Sequence, residues 1–142
     1  MLFSDKITIY NHYVASNVDV WQRTLISGVD WRDSREYQLN GNSSIDDNSK
    51  AQITIPTTSK SSRNYIEWKA FNALNNSSKA NYWTANPTSS KDIVVFGDTN
   101  KDITSSYSID DLLAEFEKAG IITTVLDRTN KTYLKHRTLV IK

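Results

Sequence analysis

The stretch VDVWQRTLISGVDW, residues 18–31, decides the fold. Trp21, Arg23 and Leu25 fall on one face of an extended chain, opposite Val20, Gln22, Thr24 and Ile26. After Ser27-Gly28, Val29 and Trp31 alternate with Asp30 and Arg32. A period of two marks half-buried strands, and Ser-Gly is turn chemistry. The stretch therefore reads as two short strands meeting at 27–28. Trp21 and Trp31 are then sheet-face residues that anchor a hairpin into the core, where such rings bury on the order of 150–250 Å² each.

The same period recurs outward from this stretch. In ITIY (7–10), Ile7 and Ile9 oppose Thr8 and Tyr10. Ile53 and Ile55 alternate with Gln52 and Thr54, and Pro56 ends that strand. DIVVF (92–96) runs apolar to Gly97. ITTVL (122–126) and YLKHRTLVI (133–141) form a closing pair joined by the polar turn DRTNKT. One segment breaks the pattern: Ile109, Leu112, Leu113 and Phe116 lie at helical spacing. Ser108 is its N-cap, Asp111 completes a capping box, and Gly120 stops it. Ile66, Ala70 and Leu74, spaced by four, mark a weaker helical or irregular segment over 65–74.

The expectation is a mainly β fold, a small antiparallel β-barrel or sandwich with one inserted α-helix at about 108–118, forming one domain over 1–142. A chain of 142 residues can build a core without staples. Two segments are too polar to bury: 38–50, QLNGNSSIDDNSK, and 57–64, TTSKSSRN. Compact domains rarely keep loops this long without a use or a tendency to disorder. Asn40, Gly41, Asn42, Ser43, Ser44, Asp46, Asp47 and Asn48 are the candidate interface or channel loop.

Composition removes several function classes. With no cysteine, disulfides, thiolate metal sites and a cysteine nucleophile are excluded. The net charge is +1, and the cations are scattered along the chain, so no phosphate-gripping block stands out. No secretory leader and no apolar run of about 20 residues are evident, so a soluble protein made in the cytosol is expected, with no membrane partner. Four glycines do not make a dinucleotide or Walker loop. Asp98, Asn100 and Asp102 open like a calcium loop, but Ile103 and Ile109 stand where glycine and glutamate belong. Nothing resembles a nucleophile elbow for the two histidines, His12 and His136, to serve. No catalytic residue, metal or cofactor is expected. The aromatics Trp21, Trp31 and Trp83 read most simply as scaffold, with a stacking row for sugars or single-stranded bases as the alternative.

The order ITIYN (7–11), W-x-R-T-x-I-x-G-V-x-W (21–31), ITIP (53–56), Y-I-x-x-x-x-F (65–71), YWT (82–84), DIVVFG (92–97), Asp111 to Leu113 and a basic strand ending in VIK resembles a family of small proteins of phages and prophages of Firmicutes. These are typically encoded among head and head–tail connector genes. The resemblance covers 7–142. Relatives tend to carry proline where Trp68 stands, and His-Trp where this chain has His136-Arg137, so Arg137 is expected to face solvent or a partner. The resemblance implies a structural virion protein of the neck: a β-barrel in a sixfold or twelvefold homo-oligomeric ring between portal or adaptor and tail proteins, in passive contact with packaged DNA. A head-completion or "stopper" role is the first reading. A tail-completion protein and a carbohydrate- or surface-binding β-module are the alternatives. The implied location is the virion neck, assembled in the host cytoplasm.

Overall fold

The computed structural model describes residues 3–33, 49–130 and 135–142. Its main strands are β1 (Asp5–Ala15), β2 (Val18–Asp33), β3 (Ala51–Pro56), β7 (Ile93–Phe96), β8 (Ala119–Asp127) and β9 (His136–Ile141). They hydrogen-bond in the order β1-β7-β8-β9-β3-β2, and β2 pairs again with β1. Every pairing in this circuit is antiparallel. The result is a closed six-stranded β-barrel. Shorter elements decorate it: β4 (Lys60–Ser61), β5 (Asn64–Tyr65), β6 (Tyr82–Trp83), α1 (Trp68–Ala73), α2 (Asn76–Lys79) and α3 (Ile109–Glu115).

Strand β2 corrects the reading of its own sequence. Residues 18–33 are one continuous strand, and Ser27-Gly28 is a bulge within it. Asp5 faces Val29 while Lys6 faces Ser27, which leaves Gly28 as the extra residue, at φ +82°. A glycine in the left-handed region serves a bulge as well as a turn. The hairpin turn is instead Ser16-Asn17, at φ 52° and 64°, the left-handed pair that a two-residue turn requires. The bulge shifts the inward parity: Thr24 and Ile26 point into the barrel before it, Val29 and Trp31 after it. It also lets β2 change partner, from β1 to β3 at Asp30–Asp33. Trp21 and Trp31 consequently lie on opposite faces. Trp31 is in the barrel core, and Trp21 packs on the outside.

The interior is filled by Ile7, Ile9, Ile26, Val29, Trp31, Ile53, Ile55, Trp83, Val94, Ile122, Leu139 and Ile141, with small alanines between them. A second cluster lies outside the β1/β7/β8 wall. Tyr10, Ile93, Val95, Ile103 and Ala119 are covered there by Leu112 and its helical neighbours Ile109, Leu113 and Phe116. The apolar run in β7 is thus explained: Val94 points in, Ile93 and Val95 point out, and both faces are buried. The capping box of α3 is present, with Ser108 Oγ accepting from Asp111 N–H and Asp111 accepting from Ser108 N–H. The helix ends at Glu115, short of the expected 118, with Phe116 as its C-cap. Gly120 caps nothing. It lies within β8, where a Cβ would stand 2.5 Å from the carbonyl oxygen of Lys142.

Three further expectations change. Segment 57–64 is a stitched connection. It contains β4, which pairs with Ile26 and Ser27, and Arg63, which donates to the carbonyls of Ala80 and Arg23. Within 65–74, Trp68–Ala73 is helical, yet its buried residue is Phe71 and Ala70 is exposed. Arg137 does not face solvent: its guanidinium lies 3.7 Å from the Tyr65 ring centroid, and 18% of its side chain is exposed. A strand residue beside a second layer finds its partner there, and the local pattern carries no trace of it.

Candidate functional site

The proposed loop residues Asn40, Gly41, Asn42, Ser43, Ser44, Asp46, Asp47 and Asn48 lie outside the described residues. The strand ends that flank them are β2 at Asp33 and β3 at Ala51. Asp33 accepts from Trp31 Nε1 at 3.0 Å and pairs with Lys118 at 3.5 Å. Lys50 donates through its backbone to Ile141 and through Nζ to the Ala119 carbonyl. These two ends, paired as Asp33 and Ala51, lie at one rim of the barrel. At that rim half-exposed Phe96 packs edge-on against Trp31, with Lys118 above its ring.

The opposite rim carries the β1–β2 hairpin. The last pairing of β7 with β1 is at Tyr10, so residues 11–22 run beyond it as a two-stranded ribbon. On the inward face Tyr13 meets Phe71 edge-on, and the Lys79 ammonium lies over both rings at 5.1 and 5.7 Å. This contact explains how a lysine can be buried on α2. On the outward face His12 Nε2 is 2.8 Å from Asp19 Oδ1, and the His12 and Trp21 rings are 4.8 Å apart. Trp21 Nε1 donates to the Lys91 carbonyl. The hydrogen bond to His12, with help from Lys91, holds the Asp19 carboxyl below its usual range.

Beside this face is a groove of about 420 Å³. Val18, Trp21, Ile103 and Ile109 give it apolar walls, and Asp19, Ser105 and Asp110 stand among its polar lining. The sequence placed Trp21 as a scaffold residue; the structure makes it half scaffold and half groove wall. The groove was hidden in the sequence because its walls come from two stretches, 18–21 and 103–110, far apart in the chain.

The former calcium-like segment holds down the outer wall. Arg23 reaches Asp102 at 2.9 Å and the Thr99 carbonyl at 3.0 Å, and Tyr10 donates to the Lys101 carbonyl at 2.6 Å. Burial pushes the Tyr10 hydroxyl up to about 12. Among the described residues no group of three or more acidic or histidine side chains is placed to hold a metal ion. None of their helices is long and apolar enough to cross a membrane.

One buried polar centre went unread. Asp92 is 2% exposed and accepts from Asn11 Nδ2, from His12 N–H and from Asn86 N–H, at 2.9–3.0 Å. Asn11 also exchanges hydrogen bonds with the backbone of Thr84. Desolvation pushes the Asp92 carboxyl up to about 6, although its three N–H donors pull the other way. Every partner of this carboxylate is spent on joining β1 to the 84–92 segment, which is a structural task. Trp83, next to Thr84 in the chain, is in the core, edge-on to Tyr65 at 4.9 Å.

No curated protein and no solved structure matches the chain. The model of a family of unknown function, DUF6751, matches residues 2–140, nearly the whole chain, and the protein belongs to that family.

Proposed function

We propose that this protein is a structural component of a phage virion neck, forming a ring that joins the portal side of the head to the tail, in a head-completion or stopper role. The observation that carries this reading is the use of the barrel's two rims. Where the wall is closed each strand has a neighbour on both sides, so that part of it offers no edge for strand addition. Contacts to other molecules must then be made by side chains and by chain outside the wall. Such chain is present at one rim as the β1–β2 ribbon, and the ends of β2 and β3 that flank the polar 34–48 sequence lie at the other. The resemblance of its motif order to that of small phage connector proteins supports the same reading. Trp31 and Trp83 are buried in the core, so they do not supply the stacking row that a sugar-binding module would need.

The test is genetic and structural. A phage or induced prophage lacking the gene should accumulate unjoined heads and tails, and infectious yield should fall at least 100-fold, on the order of 10²–10³ for loss of an obligatory assembly contact worth about 3–4 kcal/mol. Replacing 41–48 by a short Gly-Ser linker should leave the circular dichroism spectrum unchanged and still impair joining or DNA retention. Normal virions from the null allele would overturn the assignment. Normal virions from the linker variant alone would remove the loop from it.

A further inference from the structure

We propose that the groove between the β1–β2 hairpin and α3 binds an aliphatic diamine or polyamine, with one ammonium group on a carboxylate of each wall and the methylene chain between them. The site goes beyond the neck reading and does not depend on it. Each wall brings one acid. Asp19 comes from the hairpin, beside Val18 and two residues before Trp21, and Asp110 follows Ile109 in the first turn of α3. Val18, Trp21, Ile103 and Ile109 supply the apolar surface. No lysine or arginine is among the lining residues. A volume of about 420 Å³ falls among small-ligand sites, which span roughly 300–1,000 Å³.

Both carboxylates have room for a donor from solution. Asp110 is exposed and makes no hydrogen bond or ion pair among the described residues. The capping box of α3 does not use it, because Asp111 fills that role. Asp19 gives Oδ1 to His12 Nε2, and its side chain is still 55% exposed. The hydrogen bond from His12, and Lys91 from outside the lining, hold the Asp19 carboxyl ionised. An ionised carboxylate only accepts, and its strongest partners are charged donors. One exposed ion pair is weak. Two pairs on one flexible ligand reinforce each other through effective concentration, and the methylenes between them leave water for apolar walls. The Trp21 indole further favours an ammonium over a neutral group. The apolar walls offer no oxygen ligands to a metal dication, and no group of three or more acidic or histidine side chains is placed for one among the described residues. The whole chain carries a net charge of +1, so the attraction for a cation is local to the groove.

Two-dimensional NMR of the isotope-labelled full chain at low salt tests this, with putrescine and spermidine as probes. The Trp21 indole N–H and the amides of 103–110 should shift and saturate together. Butylamine, which has one ammonium, should bind about tenfold more weakly or worse. Butanediol and magnesium chloride should leave these signals in place. Asp110→Asn should weaken putrescine binding by about fivefold or more, while the amide pattern outside the groove shows that the fold is kept. Asp98→Asn, at an exposed aspartate outside the lining, should change nothing. Four results overturn the proposal: shifts scattered over the surface, equal binding of butylamine, displacement of putrescine by an equal concentration of magnesium, or a putrescine response that survives both Asp110→Asn and Asp19→Asn.

Discussion

The barrel interior and the layer beneath α3 are built on the two faces of the same strands, and they are packed differently. Inside, fourteen residues form one cluster and none is more than 9% exposed. Outside, six buried residues are joined by six that are only partly buried, including Trp21, Tyr107, Leu113 and Phe116. The interior is bounded on all sides by strands whose positions the ladder fixes. The outer layer is closed by a seven-residue helix and an irregular approach to it. A lid of that size cannot cover the wall completely, and the uncovered margin is the groove. The closed core carries the fold, and the surface available to partners lies where coverage is incomplete.

Truncation tests this contrast most strongly. Ile53→Ala or Leu139→Ala, both 0% exposed in the barrel, should cost ~2–5 kcal/mol in urea unfolding. Leu112→Ala, equally buried beneath α3, should fall at or below the lower end of that range, because the helix can settle into the space. Equal losses at the two sites would make the outer layer as rigid as the interior and break the comparison.

Asp92 gives the next effect, through pH. Its folded value, about 6, lies above the ordinary 3.8, so the folded state holds this proton more tightly than the unfolded chain does. Its contribution is fully present below the unfolded value and is lost as pH rises through the folded one. Stability should therefore fall between about pH 4 and 7, on the order of 3 kcal/mol from this group alone. Asp92→Asn should flatten that dependence. It should also lower stability overall by ~1–3 kcal/mol, because an amide N–H2 would confront N–H donors. A pH profile unchanged by the substitution would assign the dependence elsewhere.

Gly120→Ala comes third. Its Cβ would press on the Lys142 carbonyl, a backbone group with little room to yield, and overpacking of this kind typically costs about 1–3 kcal/mol. The thermal midpoint should drop accordingly. Ser108→Ala is the smallest. Loss of the capping box should cost about 1 kcal/mol or less. Its effect should appear as faster amide exchange in α3, with the barrel strands unaltered, and exchange that quickens equally in β3 would contradict the two-layer description.

Much of the interior was legible because a closed barrel imposes a strict period of two. Ile7 and Ile9, and Ile53 and Ile55, point inward as their alternation required. The α3 stripe and its capping box were legible because both are local. What escaped depends on partners remote in sequence. Gly28 needs a positive φ in a turn and in a bulge alike, and only the second partner of β2 distinguishes the two. Ser16-Asn17 makes the true turn without glycine. Arg137 on Tyr65, Arg63 on Ala80 and Asp92 on Asn11 are contacts between distant segments, and nothing adjacent in the sequence announces them.

The seam that closes the barrel also sets an order of events in time. The β1–β2 ladder joins neighbours through a two-residue turn, whereas β1–β7 must bring Ile7 to Phe96. Hairpins form in roughly 1–10 μs, while sheets dominated by distant pairings complete in milliseconds to seconds. The ribbon carrying Trp21 is therefore expected early and the β7 seam late. Stopped-flow fluorescence should find substitutions at Val94 slowing refolding less than those at Ile26. Until the seam shuts, the outer edge of β1 is an open template for another chain, so crowding during synthesis threatens this protein most in that interval.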